Sequence, residues 1–234
     1  MIEGISWTTF DELTMAVLSA IKPKRILDIG SGEGKYGRLI RAKSEFDHTH
    51  LTSVEYEKGR KKQLLSVGYN EVRCISALDL LESSAENYEV VILGDVIEHF
   101  KKSEGMDLLN FLNYRSEYII IVTPEAMPMS SANFYEGHNS LWRPHDMQWH
   151  DYWLHMRCGI MHFYVLRGYL NFSGTPLSSI QNSVHEKNII VTRGDTRLVD
   201  QNTIHQYARL DLHNTQIFDQ IPGNDDMVTI YRPN

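Results

Sequence analysis

The fold of this chain is decided by the segment Ile26-Leu-Asp-Ile-Gly-Ser-Gly-Glu-Gly34. A short apolar run leads directly into Gly30, Gly32 and Gly34, and a helical pattern follows. Glycine lets the backbone turn tightly and approach a ligand without a Cβ in the way. The segment therefore predicts a buried strand, a ligand-facing glycine loop and a helix, in that order.

The first 125 residues continue this alternation of strand-like and helical patterns. A capping box at Thr9 to Glu12 predicts the start of a helix that Pro23 ends. Apolar runs predict five strands, at 25–30, 51–55, 71–75, 89–95 and 118–124, and helices are predicted at 35–43, 57–66 and 101–115. Such alternation indicates a parallel sheet buried on both faces, whose ligands bind outside the carboxyl ends of the strands.

The second half of the chain is harder to interpret. Pro144 could open a helix toward His155, and residues 188–192 have the pattern of a strand. Residues 208–217 and 227–232 could pair as a hairpin. The aromatic density around 149–164 makes a homodimer a hypothesis.

Composition limits the classes of function. Of 234 residues, 42% are hydrophobic and 23% charged, which is ordinary for a packed globular protein. Lys and Arg number 23 against 30 Asp and Glu, and the net charge of −7 gives no support to nucleic acid or membrane binding. Cys74 and Cys158 form no disulfide framework and no zinc pattern. Without a leader-like start or a long apolar run, we expect a cytoplasmic protein.

Two phosphate-binding motifs compete for the glycine segment. A dinucleotide fingerprint, G-x-G-x-x-G, fails when counted from Gly30 but matches from Gly32 through Gly37, two residues later than the strand end suggests. A nicotinamide or flavin cofactor therefore remains an alternative. A P-loop is excluded, because Lys35 is followed by Tyr36 rather than Ser or Thr.

The segment resembles motif I of the class I S-adenosylmethionine-dependent methyltransferases. This resemblance implies a doubly wound, mostly parallel, seven-stranded α/β sheet of the Rossmann-like methyltransferase type. It also implies that the glycine loop lies under the methionine part of the cofactor. In the implied cofactor site, this segment contributes Asp28, Gly30, Gly32 and Gly34.

Glu55 ends the next predicted strand, 21 residues after Gly34. It resembles the family's acidic residue that accepts hydrogen bonds from both ribose hydroxyls, and a carboxylate has the geometry for a vicinal diol. Dinucleotide enzymes use an acid there too. Ser76, Ala77 and Asp79 follow the third strand, where family members place a polar side chain near the adenine amino group. A plain helix N-cap is an equal alternative for Ser76.

The fourth strand closes with Gly94-Asp95-Val-Ile-Glu98-His99. This stretch resembles the Asp-x-x-Glu-His signature of a large branch of the superfamily, whose loop lies beside the methionine moiety and the transferred methyl. The resemblance places Asp95 in the cofactor site. His99 is a candidate general base, because imidazole titrates near neutral pH. A purely loop-shaping role for Glu98 and His99 is the alternative.

A later pattern runs from Asn133 to Asp146 and resembles an acceptor-side segment of small methyltransferases, often those near sugar or surface-polysaccharide biosynthesis. It implies that Asn133, Tyr135 and Trp142 contact the acceptor and that His138 is the leading general base. A structural role for His138, bonded to a backbone carbonyl, is equally compatible with the pattern.

No metal site is expected from the histidines that crowd the second half. His145, His150 and His155 are five residues apart, so on a helix each would lie about 140° around the axis from the previous one and they would not share a face. No H-E-x-x-H motif is present either. Solvated or partly packed histidines are favoured instead.

Together these features predict one methyltransferase domain over 1–234, with a cofactor-binding part at 1–125 and an acceptor-side part at 126–234. S-adenosylmethionine would be the cofactor, and O or N of a small polar acceptor, a sugar or glycan intermediate among the candidates, would receive the methyl. No nucleic acid or membrane partner is expected. A protein or RNA methyltransferase and a non-catalytic cofactor-binding scaffold are the alternatives.

Overall fold

The computed structural model describes residues 7–83, 86–125, 137–192 and 204–214. The helices are α1 (Asp11–Ile21), α2 (Lys35–Arg41), α3 (Lys61–Val67), α4 (Leu80–Ser83), α5 (Lys102–Asn113) and α6 (Leu177–Glu186). The strands are β1 (Arg25–Ile29), β2 (His50–Val54), β3 (Glu71–Arg73), β4 (Tyr88–Gly94), β5 (Ser116–Pro124), β6 (Tyr152–Cys158), β7 (Met161–Arg167), β8 (Ile190–Thr192), β9 (His205–Tyr207) and β10 (Asp211–Asn214).

Eight of these strands form one sheet in the order β10-β6-β7-β5-β4-β1-β2-β3. The strands from β5 to β3 pair in parallel, whereas β7 is antiparallel to both β5 and β6, and β10 is antiparallel to β6. The predicted mostly parallel α/β sheet is confirmed. The expected count of seven strands is too low by one in the described part of the chain, because β10 adds to the edge at β6.

Helices cover both faces of the sheet, which explains the nearly continuous apolar strands. Every residue of β5 is buried. Helices α1 and α6 lie on one face with Leu18 and Ile180 in its core, and α5 covers the other face with Leu108. Full burial of each such side chain contributes about 1.5–3 kcal/mol. Parallel pairing beneath this double cover places the carboxyl ends of β5, β4, β1, β2 and β3 along one edge.

The predicted capping box at the first helix is wrong. Helix α1 begins at Asp11, and Phe10 occupies the N-cap position with no side-chain cap. Phe10 is buried, and its ring centroid lies 5.4 Å from that of Phe163 on β7. Burial of the aromatic ring therefore sets the start of the helix, and not a hydrogen bond from Thr9.

The helix predicted from Pro144 toward His155 is also wrong. Pro144–Met147 is a single 3-10 turn, and Tyr152–Cys158 forms β6, which pairs with β7 across a tight turn containing Gly159 at φ +59°. Pairing with β7 outweighs any local helical preference. The strand predicted at 188–192 is confirmed as β8. In the first arm of the predicted hairpin, 208–217, β10 pairs with β6. The second arm, 227–232, lies outside the described residues.

Most of the aromatic residues behind the homodimer hypothesis are core residues, whereas Trp149 and Tyr152 are partly buried. Trp153, Phe163 and Tyr164 are each at most 2% exposed. They therefore give no support to a contact between subunits, and the oligomeric state stays a prediction. Among the described helices, none combines the length and hydropathy needed to cross a bilayer.

Three of the crowded histidines, His150, His155 and His162, are buried, whereas the side chain of His145 is 70% exposed beside Asp146. The Nε2 atom of His155 lies 3.0 Å from Nδ1 of His162. Burial lowers the pKa of His150 to about 3. Burial, and then the neighbouring charges of His162 and others, lower the pKa of His155 to about 4. Both imidazoles are therefore neutral at pH 7 in the folded chain.

This burial predicts acid sensitivity. An unfolded histidine titrates near 6.5, so between about pH 6.5 and 4 the unfolded chain binds more protons, and the free energy of unfolding falls as pH falls. His155 alone accounts for about 2 kcal/mol of loss between pH 7 and 5. We expect His155→Gln to flatten this dependence in urea unfolding at the two pH values. The exposed control, His145→Gln, should keep the wild-type slope, and equal slopes in all three proteins would contradict the assignment.

Candidate functional site

The polar residues predicted at strand ends meet at one edge of the sheet, because β2, β1 and β4 are neighbours. Gly30 follows β1, Glu55 follows β2 and Asp95 follows β4. The backbone N–H of Gly32 donates to Oε2 of Glu55 at 2.8 Å. The glycine loop and the acidic residue are therefore joined directly, as a common cofactor site requires.

The glycine loop needs its glycines for backbone reasons. Gly30, Gly32 and Gly34 have φ values of +68°, +53° and +85°, a region that L side chains rarely adopt. A Cβ on Gly30 would lie 2.3 Å from Cγ2 of Val96, which follows β4. Gly34 occupies the N-cap position of α2. The loop is thus held close to the β4 turn, and the glycines make this approach possible.

We expect Gly30→Ala to destabilise the chain by about 2–4 kcal/mol, because it adds left-handed strain and a steric clash with Val96. Urea unfolding measures the change. Gly59→Ala is the matched control, since a Cβ at Gly59 has no heavy atom within 4 Å. The control should stay within about 0.5 kcal/mol of wild type. Equal losses in the two variants would contradict the close approach.

Asp28 lies beneath the loop and not on its surface. It is 1% exposed, and its carboxylate accepts a hydrogen bond from the Tyr69 hydroxyl. Burial raises the pKa of Asp28 to about 7, against the opposing effects of Tyr69 and Lys35. These contacts give Asp28 a role in supporting the loop, and its predicted contact with a cofactor stays a prediction.

The same tyrosine accounts for the shifted dinucleotide pattern. A Cβ on Gly37 would lie 2.4 Å from Cε2 of Tyr69, and the Gly37 N–H donates to the Tyr69 hydroxyl at 3.1 Å. Close packing against Tyr69 therefore explains a glycine at 37 without a pyrophosphate.

Glu55 is 4% exposed and has one hydrogen bond to each oxygen. Oε2 accepts from Gly32, and Oε1 accepts from the N–H of Glu57 at 3.0 Å. A carboxylate oxygen has two lone pairs, so each oxygen can accept one more hydrogen bond. The backbone thus orients the carboxylate and leaves it able to accept from two neighbouring hydroxyls.

The residues after β3 form a helix cap. The Ser76 Oγ accepts from the Leu78 N–H at 3.3 Å, and Asp79 Oδ2 accepts from the Ser76 N–H at 3.0 Å. Ala77 is 8% exposed and begins the 3-10 turn Ala77–Asp79. The capping alternative for Ser76 is confirmed, and the adenine contact of these three residues stays a prediction.

Asp95 has an unusual backbone for a residue other than glycine. Its φ is +54°, and its N–H donates to the Val122 carbonyl at 2.8 Å. Oδ2 accepts from the backbone N–H of Trp7 at 3.1 Å. Left-handed strain in non-glycine residues clusters at functional sites. Asp95 begins the turn that faces the glycine loop, because Val96 of the same turn lies against Gly30.

The turn that follows Asp95 brings Glu98, His99 and His138 together. Glu98 is 1% exposed and accepts from the Thr123 hydroxyl at 3.0 Å. Burial, and then the charge of Asp95, raise the pKa of Glu98 well above its usual range. The ring of His138 lies edge-on to that of His99, with centroids 5.1 Å apart. Burial, and then His99, lower the pKa of His138. Both predicted base candidates are therefore neighbours.

Hydrogen bonds dock the segment Gly137–Trp142 on this turn. The N–H groups of Asn139 and Ser140 donate to the Glu98 carbonyl at 2.7 and 3.1 Å. The indole Nε1 of Trp142 donates to the Ile97 carbonyl at 3.1 Å. These bonds join residues that are distant in sequence, so sequence spacing does not show that they meet.

Trp142 itself is fully buried. Its ring lies against Gly105 of α5, where a Cβ would be 2.4 Å from Cζ2. These contacts give Trp142 a role in anchoring the segment, and its predicted contact with the acceptor stays a prediction. Asn133 and Tyr135 lie outside the described residues.

The fold is shared with solved methyltransferase structures, although no family model and no curated protein matches the sequence. The methyltransferase domain of bacterial CtHen1-CN aligns with a TM-score of 0.50 at 16% identity, over 68% of this chain and 97% of that chain. The DhpI–SAH complex gives 0.51 at 12% identity, over 68% and 85%. The plantazolicin methyltransferase BpumL in complex with SAH gives 0.50 at 13%, over 68% and 84%. These likenesses show the Rossmann-like fold.

Proposed function

We propose that this chain is an S-adenosylmethionine-dependent methyltransferase that acts on O or N of a small polar acceptor. The observation that carries the proposal is Glu55, a buried carboxylate hydrogen-bonded to the glycine loop with acceptor capacity left for a vicinal diol. The likeness of the fold to methyltransferase structures supports it. The resemblance of 133–146 to acceptor-side segments favours a sugar or glycan intermediate as the acceptor.

Each part of the cofactor has chemically matched residues along the sheet edge. The ribose hydroxyls would donate to Glu55, and the adenine would lie near Ser76 to Asp79. The methionine part would lie over the glycine loop beside Asp95. Bound there, the cofactor supplies a methyl group already activated by its sulfonium. The protein's task is then to position the acceptor for in-line attack.

An acceptor that arrives as a hydroxyl or an ammonium must lose a proton. His138 and His99 are the described imidazoles beside the Asp95 turn, and a neutral imidazole nitrogen can accept that proton. His99 has its Nδ1 atom 3.0 Å from the Gly137 carbonyl oxygen, which fixes the orientation of the ring. His138 projects from the docked segment on the acceptor side, and it is the leading base in this proposal.

Calorimetric titration tests the cofactor. We expect wild type to bind S-adenosylmethionine and not NAD⁺, because the Gly32–Gly37 register is explained by packing against Tyr69. Glu55→Gln should weaken S-adenosylmethionine binding about 10–100-fold, since hydrogen bonds to a charged carboxylate contribute about 1.5–3 kcal/mol. Glu57→Gln is the matched control, because that side chain is exposed and pairs with Arg60. It should bind like wild type.

Three results would contradict the cofactor proposal. Binding of NAD⁺ alone would make the dinucleotide reading correct. Binding of neither ligand would leave a fold without this function. Equal weakening by Glu55→Gln and Glu57→Gln would place the ribose elsewhere. Cofactor binding with no methyl transfer to any of a broad panel of sugars, peptides and RNA would favour the non-catalytic scaffold.

A further inference from the structure

Three side chains that commonly bind metal ions converge beside the Asp95 turn. One carboxylate oxygen of Glu98 and one ring nitrogen each of His99 and His138 lie within 4.8 Å of one another. Among the described residues this is the one group of three or more such side chains at this spacing. His145, His150 and His155 form no such group within the part of the chain that the structure describes.

The charge around Glu98 favours a cation at this point. Its carboxylate is buried, and Asp95, three residues earlier, adds a second acidic group nearby. Within the described residues, no lysine or arginine pairs with the Glu98 carboxylate, which accepts a hydrogen bond from the Thr123 hydroxyl. Burying a carboxylate is costly unless a proton or a positive charge compensates it. A bound cation would provide that charge.

The orientation of His99 leaves a nitrogen available for a metal. Its Nδ1 lies 3.0 Å from the Gly137 carbonyl oxygen, and a carbonyl can only accept, so Nδ1 carries the ring proton. The lone pair is therefore on Nε2. Metal-binding histidines usually donate their other N–H to a carbonyl or carboxylate in this way.

The position of His138 is fixed by hydrogen bonds from its neighbours to the main chain of Glu98 and His99. The N–H groups of Asn139 and Ser140, next to His138, donate to the main-chain carbonyl of Glu98. The amide nitrogen Nδ2 of Asn139 donates to the His99 carbonyl at 2.7 Å. The three groups are thus brought together by the fold before any ion binds, which reduces the entropy lost on binding.

We infer that Glu98, His99 and His138 bind one divalent transition-metal ion at the acceptor side of the site. Two imidazole nitrogens with one carboxylate oxygen suit Zn²⁺, Co²⁺, Mn²⁺ or Fe²⁺ better than Mg²⁺ or Ca²⁺, which prefer oxygen ligands. Ligand atoms on one ion at about 2.1 Å lie about 3–4 Å apart, so small side-chain rotations complete the site. Three protein ligands leave coordination positions open, as in catalytic sites.

The inference deepens the proposed function and rests on it for its chemical role. A hydroxyl oxygen bound at an open position would lose its proton to water more readily, because a divalent ion lowers the pKa of a bound hydroxyl. The O–CH₃ bond then forms as the S–CH₃ bond breaks, and the products are the methyl ether, the thioether and one proton. With the ion bound, the two imidazoles are ligands, and the ion replaces them in activating the acceptor.

Metal binding is tested on the full chain after dialysis against a chelator. Titration with Co²⁺, followed by calorimetry and by the visible absorption of the bound ion, should give one site per chain. We expect His99→Ala and His138→Ala each to weaken Co²⁺ binding at least about tenfold. His145→Ala is the matched control, an exposed histidine of the same region, and should bind like wild type. Circular dichroism confirms that each variant is folded.

The outcomes separate this inference from the proposed function. The metal site is supported if one Co²⁺ binds per chain, more tightly than Mg²⁺, and if His99→Ala and His138→Ala each weaken that binding. This holds whether or not S-adenosylmethionine binds. No saturable Co²⁺ binding, or equal weakening by His145→Ala, overturns it, even if the chelator-treated protein binds S-adenosylmethionine normally. If the wild-type chain binds Co²⁺ but does not bind S-adenosylmethionine, the proposed function alone is overturned.

Discussion

The hydrogen bond from Gly32 to the Glu55 carboxylate links the two elements on which the site depends. Parallel pairing places the ends of β1 and β2 side by side, and the positive φ angles of the loop glycines turn the Gly32 N–H toward the acid. The bond orients the carboxylate without using its full capacity to accept. The sheet edge thus presents the carboxylate that we propose to bind the ribose, and the rest of the proposed chemistry is arranged around it.

The proposed acceptor side depends on the turn after β4 in the same way. Backbone N–H groups of the docked segment donate to the Glu98 carbonyl, and the Trp142 indole donates to the Ile97 carbonyl. The position of the segment is therefore set by the turn after β4. This arrangement explains how His138 reaches His99 and Glu98, and why Trp142 is buried at the base of the segment.

Much of the first half could be predicted from the sequence, because strands buried on both faces have apolar runs and parallel strands align their carboxyl ends. Gly30, Glu55 and Asp95 meet at one edge for that reason. The second half could not be predicted equally well. Tyr152–Cys158 is a strand only because β7 pairs with it, and Phe10 starts α1 by packing on the distant Phe163. The grouping of Glu98, His99 and His138 likewise depends on tertiary hydrogen bonds that leave no local pattern.

A crystal structure with S-adenosylhomocysteine would show whether Glu55 binds the ribose. We expect both ribose hydroxyls on the Glu55 carboxylate, with the Gly32 hydrogen bond retained. We expect the sulfur to be directed toward the turn that holds Asp95 and His99. A nucleoside bound away from Glu55, or a sulfur directed away from that turn, would contradict the proposed cofactor site.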